Sequence, residues 1–271
     1  MKKVRKDKEI TTIKKVLPKQ TDVSTTKIDK NAFPIVGIGA SAGGLEALEQ
    51  FFSKIPANPQ MAFVIIQHLD PHYVGIMPEL LQRLSSMKVI QASDRVKIKP
   101  NCVYIIPPNK SMSILNRALH LFDIVDEGLR LPINFFFRSL ANDLHEKSIG
   151  IILSGMGSDG SEGVKAIKEK HGMVLVQEPS DAKFDSMPKN AIASVVVDKV
   201  ANAEQLPEIL MNLANKDFKL TEDIELDDQH KSNIDKIIIL LREHIGHDFS
   251  SYKKKTLFRR IERRKSVRHC Q

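Results

Sequence analysis

Residues 33–52, FPIVGIGASAGGLEALEQFF, run from a short stretch that is apolar throughout, through a glycine-rich turn, directly into an amphipathic segment. This pattern predicts a strand covered on both faces, a tight turn, and a helix packed back onto the sheet. Ser41 stands at the turn, where its hydroxyl would be exposed and backbone N–H groups would point at whatever it attacks. Gly39, Ser41 and Gly43 satisfy G-x-S-x-G, in which the glycines allow a sharp turn with nothing crowding the serine. The same letters fit a rival, because Gly37, Gly39 and Ala42 read as the G-x-G-x-x-A of a dinucleotide fold. Neither pattern decides alone.

Outward from this stretch, residues 33–213 alternate strand-like and helix-like runs. MAFVIIQH precedes VGIMPELLQRL, KSIGIILSG precedes GSEGVKAIKEK, and GMVLVQE precedes PKNAIASV, VVVDKV and AEQLPEILMNL. The predicted class is α/β: a doubly wound, mainly parallel sheet with helices on both faces. CVYIIPP, SMSILN and ALHLFDIV break the alternation and predict a strand and an antiparallel edge hairpin turning at Asn116 and Arg117. LPINFFFRSLANDLHEK predicts a helix with proline near its start and with Phe135, Phe136 and Leu140 toward the core.

The ends differ from this middle. Residues 1–32 lack apolar periodicity and read as a disordered basic tail; residues 214–231 read as an acidic linker. Residues 232–271 read as a basic helical extension, with one helix capped by Ser232 and a second carrying Leu257 and Ile261 on a narrow apolar face.

The net charge of +8 belongs to the ends. Residues 1–30 hold 10 Lys and Arg against 4 Asp and Glu, and residues 231–271 hold 12 against 4, so the middle is net acidic. Basicity therefore says nothing about a ligand of the central domain, and nucleic acid is not an expected partner, since neither end interleaves aromatics with its cations. No run reaches the roughly 18 apolar residues of a membrane span, and the charged start leads into no apolar segment. Cys102 and Cys270 have no metal-ligand spacing, which fits a reducing, cytoplasmic compartment.

In an open parallel sheet the functional crevice lies beyond the carboxyl ends of the strands. Ser41 follows the first strand, His68 the second, in VIIQHLDPH, and Asp159 a later one, in IILSGMGSDG. A hydroxyl, an imidazole and a carboxylate at one rim are the parts of nucleophilic acyl transfer. Each has a plainer role: a serine in a glycine turn caps helices, a histidine at a strand end is usually structural, and Asp159 could cap a helix starting near Ser161.

The dinucleotide pattern recurs at Gly155, Gly157 and Gly160, with Glu178 at the end of the next strand. Against it, Asp159 inside that loop would repel a pyrophosphate, and the first loop has Gln67 and His68 where its acid should stand. The balance favours a serine hydrolase. The pairs His68/His72 and His244/His247 lack metal geometry or a third ligand, so no metal is expected.

GIGASAGGLEAL, VIIQHLDP, LSGMGSDGSEGV and QEPSDAKFDSMPKNAI, in that order, resemble the bacterial chemotaxis protein-glutamate methylesterase family over residues 33–213. The resemblance implies a doubly wound catalytic domain with Ser41 as nucleophile, His68 as general base and Asp159 as the acid orienting it. It also points to Met156 as a backbone contributor near the oxyanion. The family often has threonine after the nucleophile, where this chain has Ala42; the backbone N–H survives, so a modest rate effect is expected. Residues 248–264, DFSSYKKKTLFRRIERR, resemble the opening of the chemotaxis glutamate methyltransferases, as in fusions of the two enzymes.

The family pattern includes an N-terminal phosphoacceptor receiver, which thirty polar residues are too few to form, so control by that phosphorylation is not expected. The forty residues after the linker are likewise too few for methyltransferase activity. The implied function is hydrolysis of glutamate methyl esters, with deamidation of glutamine through the same acyl-enzyme, on the cytoplasmic helices of chemoreceptors and with no cofactor. The competing reading is a catalytically weak receptor-binding scaffold, suggested by Ala42 and the missing receiver.

Overall fold

The computed structural model describes residues 33–67, 76–123, 131–221, 228–246 and 249–268. The expected tail, residues 1–32, lies outside them. The apolar run that opens the domain is β1, Ile35–Ala40, buried along its whole length, and the amphipathic run after it is α1, Gly44–Ser53. They are followed by β2 (Ala62–Gln67), α2 (Ile76–Leu84), β3 (Lys88–Gln91), β4 (Val96–Lys97) and β5 (Cys102–Ile105). Next come β6 (Lys110–Leu115), β7 (Ala118–Asp123), α3 (Pro132–Leu144), β8 (Ser148–Ile152) and α4 (Ser161–Glu169). The chain continues through β9 (Met173–Gln177), α5 (Ser186–Ser194), β10 (Lys199–Ala201), α6 (Leu206–Thr221), α7 (Asp228–Ile245) and α8 (Lys254–Arg268).

Seven strands form a parallel sheet in the order β10-β9-β8-β1-β2-β5-β3. From β1 the chain first winds toward β2 and later returns to the other side at β8, so the order reverses between β1 and β8. That junction is where open α/β sheets form a crevice. The predicted hairpin is present, turning through Asn116 and Arg117, both at positive φ as a two-residue turn requires. It joins β4 in a three-stranded antiparallel sheet of its own, which packs against α3, and is not hydrogen-bonded to the edge of the large sheet.

Strand alternation sends successive residues into two cores. Val36, Ile38, Phe63 and Ile65 pack with Leu48 and Phe51 of α1, Leu81 of α2 and Leu206 and Leu210 of α6. Ile35, Val64 and Ile66 face the opposite side with Phe136, Phe137 and Leu140 of α3, Val164 of α4 and Met187 of α5. On this second face Gly37 and Gly39 are what let α3 lie close to the sheet. A Cβ at Gly39 would stand 2.5 Å from Ile133 Cγ2, and one at Gly37 2.9 Å from Phe137 Cε1. The glycines that suggested a dinucleotide loop are thus required by helix packing.

Three expectations need correcting. Phe135 is 46% exposed, and Phe137 takes the buried place beside Phe136 and Leu140. Helix α6 runs to Thr221 and α7 starts at Asp228, so much of the stretch read as an acidic linker is helical. Ser232 lies inside α7 and is not its cap. Ile234 and Ile238 of α7 form a small apolar cluster with Phe249 and with Leu257 and Phe258 of α8, while α8 also packs on α6. Among the described residues no helix is long and apolar enough to cross a membrane.

Candidate active site

Strand β1 ends at Ala40 and leaves Ser41 half-buried at the carboxyl edge of the sheet, with α1 beginning three residues later. The Ser41 carbonyl accepts the Gly44 N–H at 2.8 Å, closing the turn. The Ser41 N–H donates to the carbonyl of Ser154 at 3.0 Å, one step beyond the Leu153 N–H bond to Gly39. The β1–β8 pairing is therefore prolonged into the turn, and it holds Ser41 beside the segment that leads from β8 to Asp159. Contact between the two loops is close: a Cβ on Gly155 would fall 3.0 Å from Ser41 Cβ and 2.1 Å from Met187 Sδ. Glycine at 155 is the condition for the loop and the serine turn to lie side by side.

Asp159 is 3% exposed and sits between the starts of two helices. Its carboxylate accepts the N–H groups of Ile133 (2.9 Å) and Asn134 (3.0 Å) in the first turn of α3, and that of Gly160 (2.9 Å) at the start of α4. Pro132 occupies the first position of α3 and has no N–H, so the next two amides are the donors left for a cap from outside. The capping role weighed for Asp159 is real, but its main target is α3 across the sheet face. Asn134 returns the contact, accepting the Gly163 N–H of α4 at 2.6 Å through its side-chain oxygen. The two helix starts are mutually capped, and an anion held between two positive helix ends is electrostatically favoured.

The remaining residues singled out from sequence divide as follows. Ala42 lies in the Ser41 turn, half-buried. Met156 is on the β8–α4 loop and is 60% exposed. His68, His72 and His247 lie outside the described residues. Gln67, the neighbour of His68 in the chain, pairs with Ala40, the neighbour of Ser41. Ser154, Asn134 and Gln177 are buried polar residues that sequence reading passed over. Ser154 lies within a recognised motif, but serine before glycine reads as an ordinary turn; its partners come from loops far away in sequence.

The ends of β1 and β8 thus carry a serine turn and a buried carboxylate at the switch point of a doubly wound sheet, the arrangement of an α/β protein whose site is built on strand-end loops. Residues 36–210 match the family model of the CheB methylesterase, and residues 232–271 match that of the CheR methyltransferase all-alpha domain. The chain belongs to the CheB methylesterase family.

A putative protein-glutamate methylesterase/protein-glutamine glutaminase of Leptospira interrogans is 32% identical over 67% of this chain and 95% of its own length. Protein-glutamate methylesterase/protein-glutamine glutaminase 1 of Syntrophomonas wolfei is 30% identical over 74% of this chain. That match spans only 57% of the Syntrophomonas protein, and the match to a Nitratidesulfovibrio vulgaris relative spans 50% of it. The crystal structure of the Thermotoga maritima CheB methylesterase catalytic domain superposes with a TM-score of 0.62 at 30% identity, covering 67% of this chain and 99% of that one.

Proposed function

We propose that this chain hydrolyses methyl esters of glutamate side chains on chemoreceptors, within chemotaxis-type signalling, and removes ammonia from glutamine side chains at the same site. The observation that carries the reading is the backbone bond from Ser41 to Ser154, which sets the serine turn against the loop bearing Asp159. Membership of the methylesterase family and the paired activities in the names of its relatives support it.

In this reading the catalytic domain spans residues 33–213 and residues 232–271 form a helical segment akin to the start of a methyltransferase. Ser41 attacks the ester carbonyl while His68 takes its proton, and Asp159 holds the imidazole and stabilises its charged form. Backbone N–H groups of the turn at Ala42 and of the loop at Met156 receive the oxyanion. Collapse of the tetrahedral species expels methanol, which takes the proton back from His68. Water then attacks the acyl-enzyme with His68 again as base, freeing the glutamate carboxylate and Ser41. With a glutamine substrate the leaving group is ammonia and the acyl-enzyme is the same.

Ser41→Ala is expected to lower methanol release from methylated receptor by at least roughly 10³-fold, with the fold retained. Release at an undiminished rate would remove Ser41 from the mechanism and with it the hydrolase reading.

A further inference from the structure

We propose that Ser154 is a positioning residue for hydrolysis at Ser41, an inference that rests on the hydrolase reading above. Ser154 is 1% exposed, and a hydroxyl so placed is tolerated only when its hydrogen bonds are made inside the protein. It makes them to two different loops. The Oγ donates to the Ala42 carbonyl at 2.9 Å and accepts the Phe184 N–H at 3.0 Å; the Phe184 carbonyl, at 3.4 Å, is the weaker alternative acceptor.

The Ser154 main chain grips as well. Its carbonyl accepts the Ser41 N–H at 3.0 Å, and its own N–H donates to Gln177 Oε1 at 2.8 Å. Gln177 is itself 1% exposed, and its amide nitrogen donates to Asp181 at 2.8 Å, whose carboxylate also accepts the Ala203 N–H at 2.9 Å. A chain of hydrogen bonds therefore runs from Ala203, just after β10, to the serine turn.

Ser154 holds both sides of the nucleophile. The Ser41 N–H before the side chain and the Ala42 carbonyl after it end on one residue. Fixing the Ala42 carbonyl also fixes the plane of the Ala42–Gly43 peptide, and so the direction of the Gly43 N–H. Both the aim of the hydroxyl and the local field of amides follow from this clamp. The same residue opens the loop that carries Met156 and Asp159, so the hydroxyl links the two halves of the site directly. Without it, the Ala42 carbonyl and the Phe184 N–H lose their partner and the turn can rotate to find others.

The test uses the full chain, a fluorophosphonate probe that reacts with an activated serine, and steady-state hydrolysis of methylated receptor. In Ser154→Ala, probe labelling of Ser41 and kcat are both expected to fall about 10–100-fold, since misplacement by about 1 Å has that scale of effect. KM is expected to stay within about twofold, because the change is in the aim of the nucleophile and not in receptor binding. Ser154→Thr keeps the hydroxyl and is expected to restore most of the rate.

Labelling of Ser154→Ala at the wild-type rate would overturn the positioning role while leaving the hydrolase reading intact. Failure of the unaltered protein to label would remove the hydrolase reading and this inference together. Should Ser154→Ala not fold, Ser154→Cys, which keeps a weaker donor, is measured in the same way. Failure of both to fold would overturn the inference, because the clamp would then serve the fold alone.

Discussion

At the scale of the residue, Asp159 makes contacts that its sequence context states only in part. A carboxylate in SDGSEG suggests either a cap or an acid in a reaction, and the structure gives it three backbone N–H donors from two helix starts. Asp159→Asn would present an amide NH2 to at least one of those donors. It is expected to destabilise the fold by about 1–3 kcal/mol, the cost of leaving a buried donor unpaired, measured as a lower urea midpoint at unchanged slope. A midpoint equal to that of the unaltered protein would show that the carboxylate is not needed as a cap.

Ser41 and Asp159 were legible because they lie in glycine-rich turns directly after apolar strands, a local signal. Ser154 and Asn134 were not. Ser154 is defined by the Ala42 carbonyl, 112 positions away, and Asn134 by an amide on α4, 29 positions away. No local pattern encodes either partner.

At the scale of the element, α3 shows what periodicity can and cannot specify. Its existence, its proline start and the burial of Phe136 and Leu140 were readable. Its rotational phase was misread by one residue, because Phe135, Phe136 and Phe137 are equally apolar and only the approach to Gly37 and Gly39 of β1 selects which two face the sheet. Phe136→Ala is therefore expected to cost about 3–5 kcal/mol through loss of a large, fully buried ring. Phe135→Ala should cost only about 0.5–1.5 kcal/mol, chiefly the edge-on contact with Phe122, whose ring centroid lies 5.9 Å away. Equal losses for the two variants in thermal unfolding would show that the helix is turned differently. Helix α7 teaches the complementary lesson: Ser232 looked like a cap, but the helix starts earlier, with Asp228 in its first turn, where a carboxylate suits the positive helix end, and with Gln229 and Lys231 as good helix formers.

At the scale of the whole molecule, the stability of the doubly wound core has a pH dependence that one buried phenol can report. Tyr104 of β5 lies in the core on the α3 side of the sheet, and its oxygen accepts the Lys99 N–H at 3.0 Å. Burial raises its pKa above the ordinary tyrosine value of 10.0, outweighing the opposing effect of the Lys99 hydrogen bond. A group whose pKa is higher folded than unfolded favours the fold while protonated. The contribution is complete below the unfolded value, about pH 10, and is lost as pH rises through the folded value. Tyr104→Phe cannot ionise, so its unfolding free energy should fall less steeply above about pH 10, at a cost near neutral pH of about 1 kcal/mol for the lost hydrogen bond. Parallel alkaline stability curves for the two proteins would contradict this assignment.

Sequence alone determined the local matters: which runs become strands or helices, where the chain turns, and which chemical groups stand at strand ends. These follow from side-chain periodicity and backbone preference over a few neighbours, and the ordered motifs added the family. Tertiary structure decided the reversal of strand order between β1 and β8, the face that α3 presents, and the pairing of Asp159, Asn134 and Ser154 with amides and carbonyls of distant segments. Those outcomes depend on satisfying buried polar groups and filling space around Gly37, Gly39 and Gly155, conditions that exist only once the layers have met.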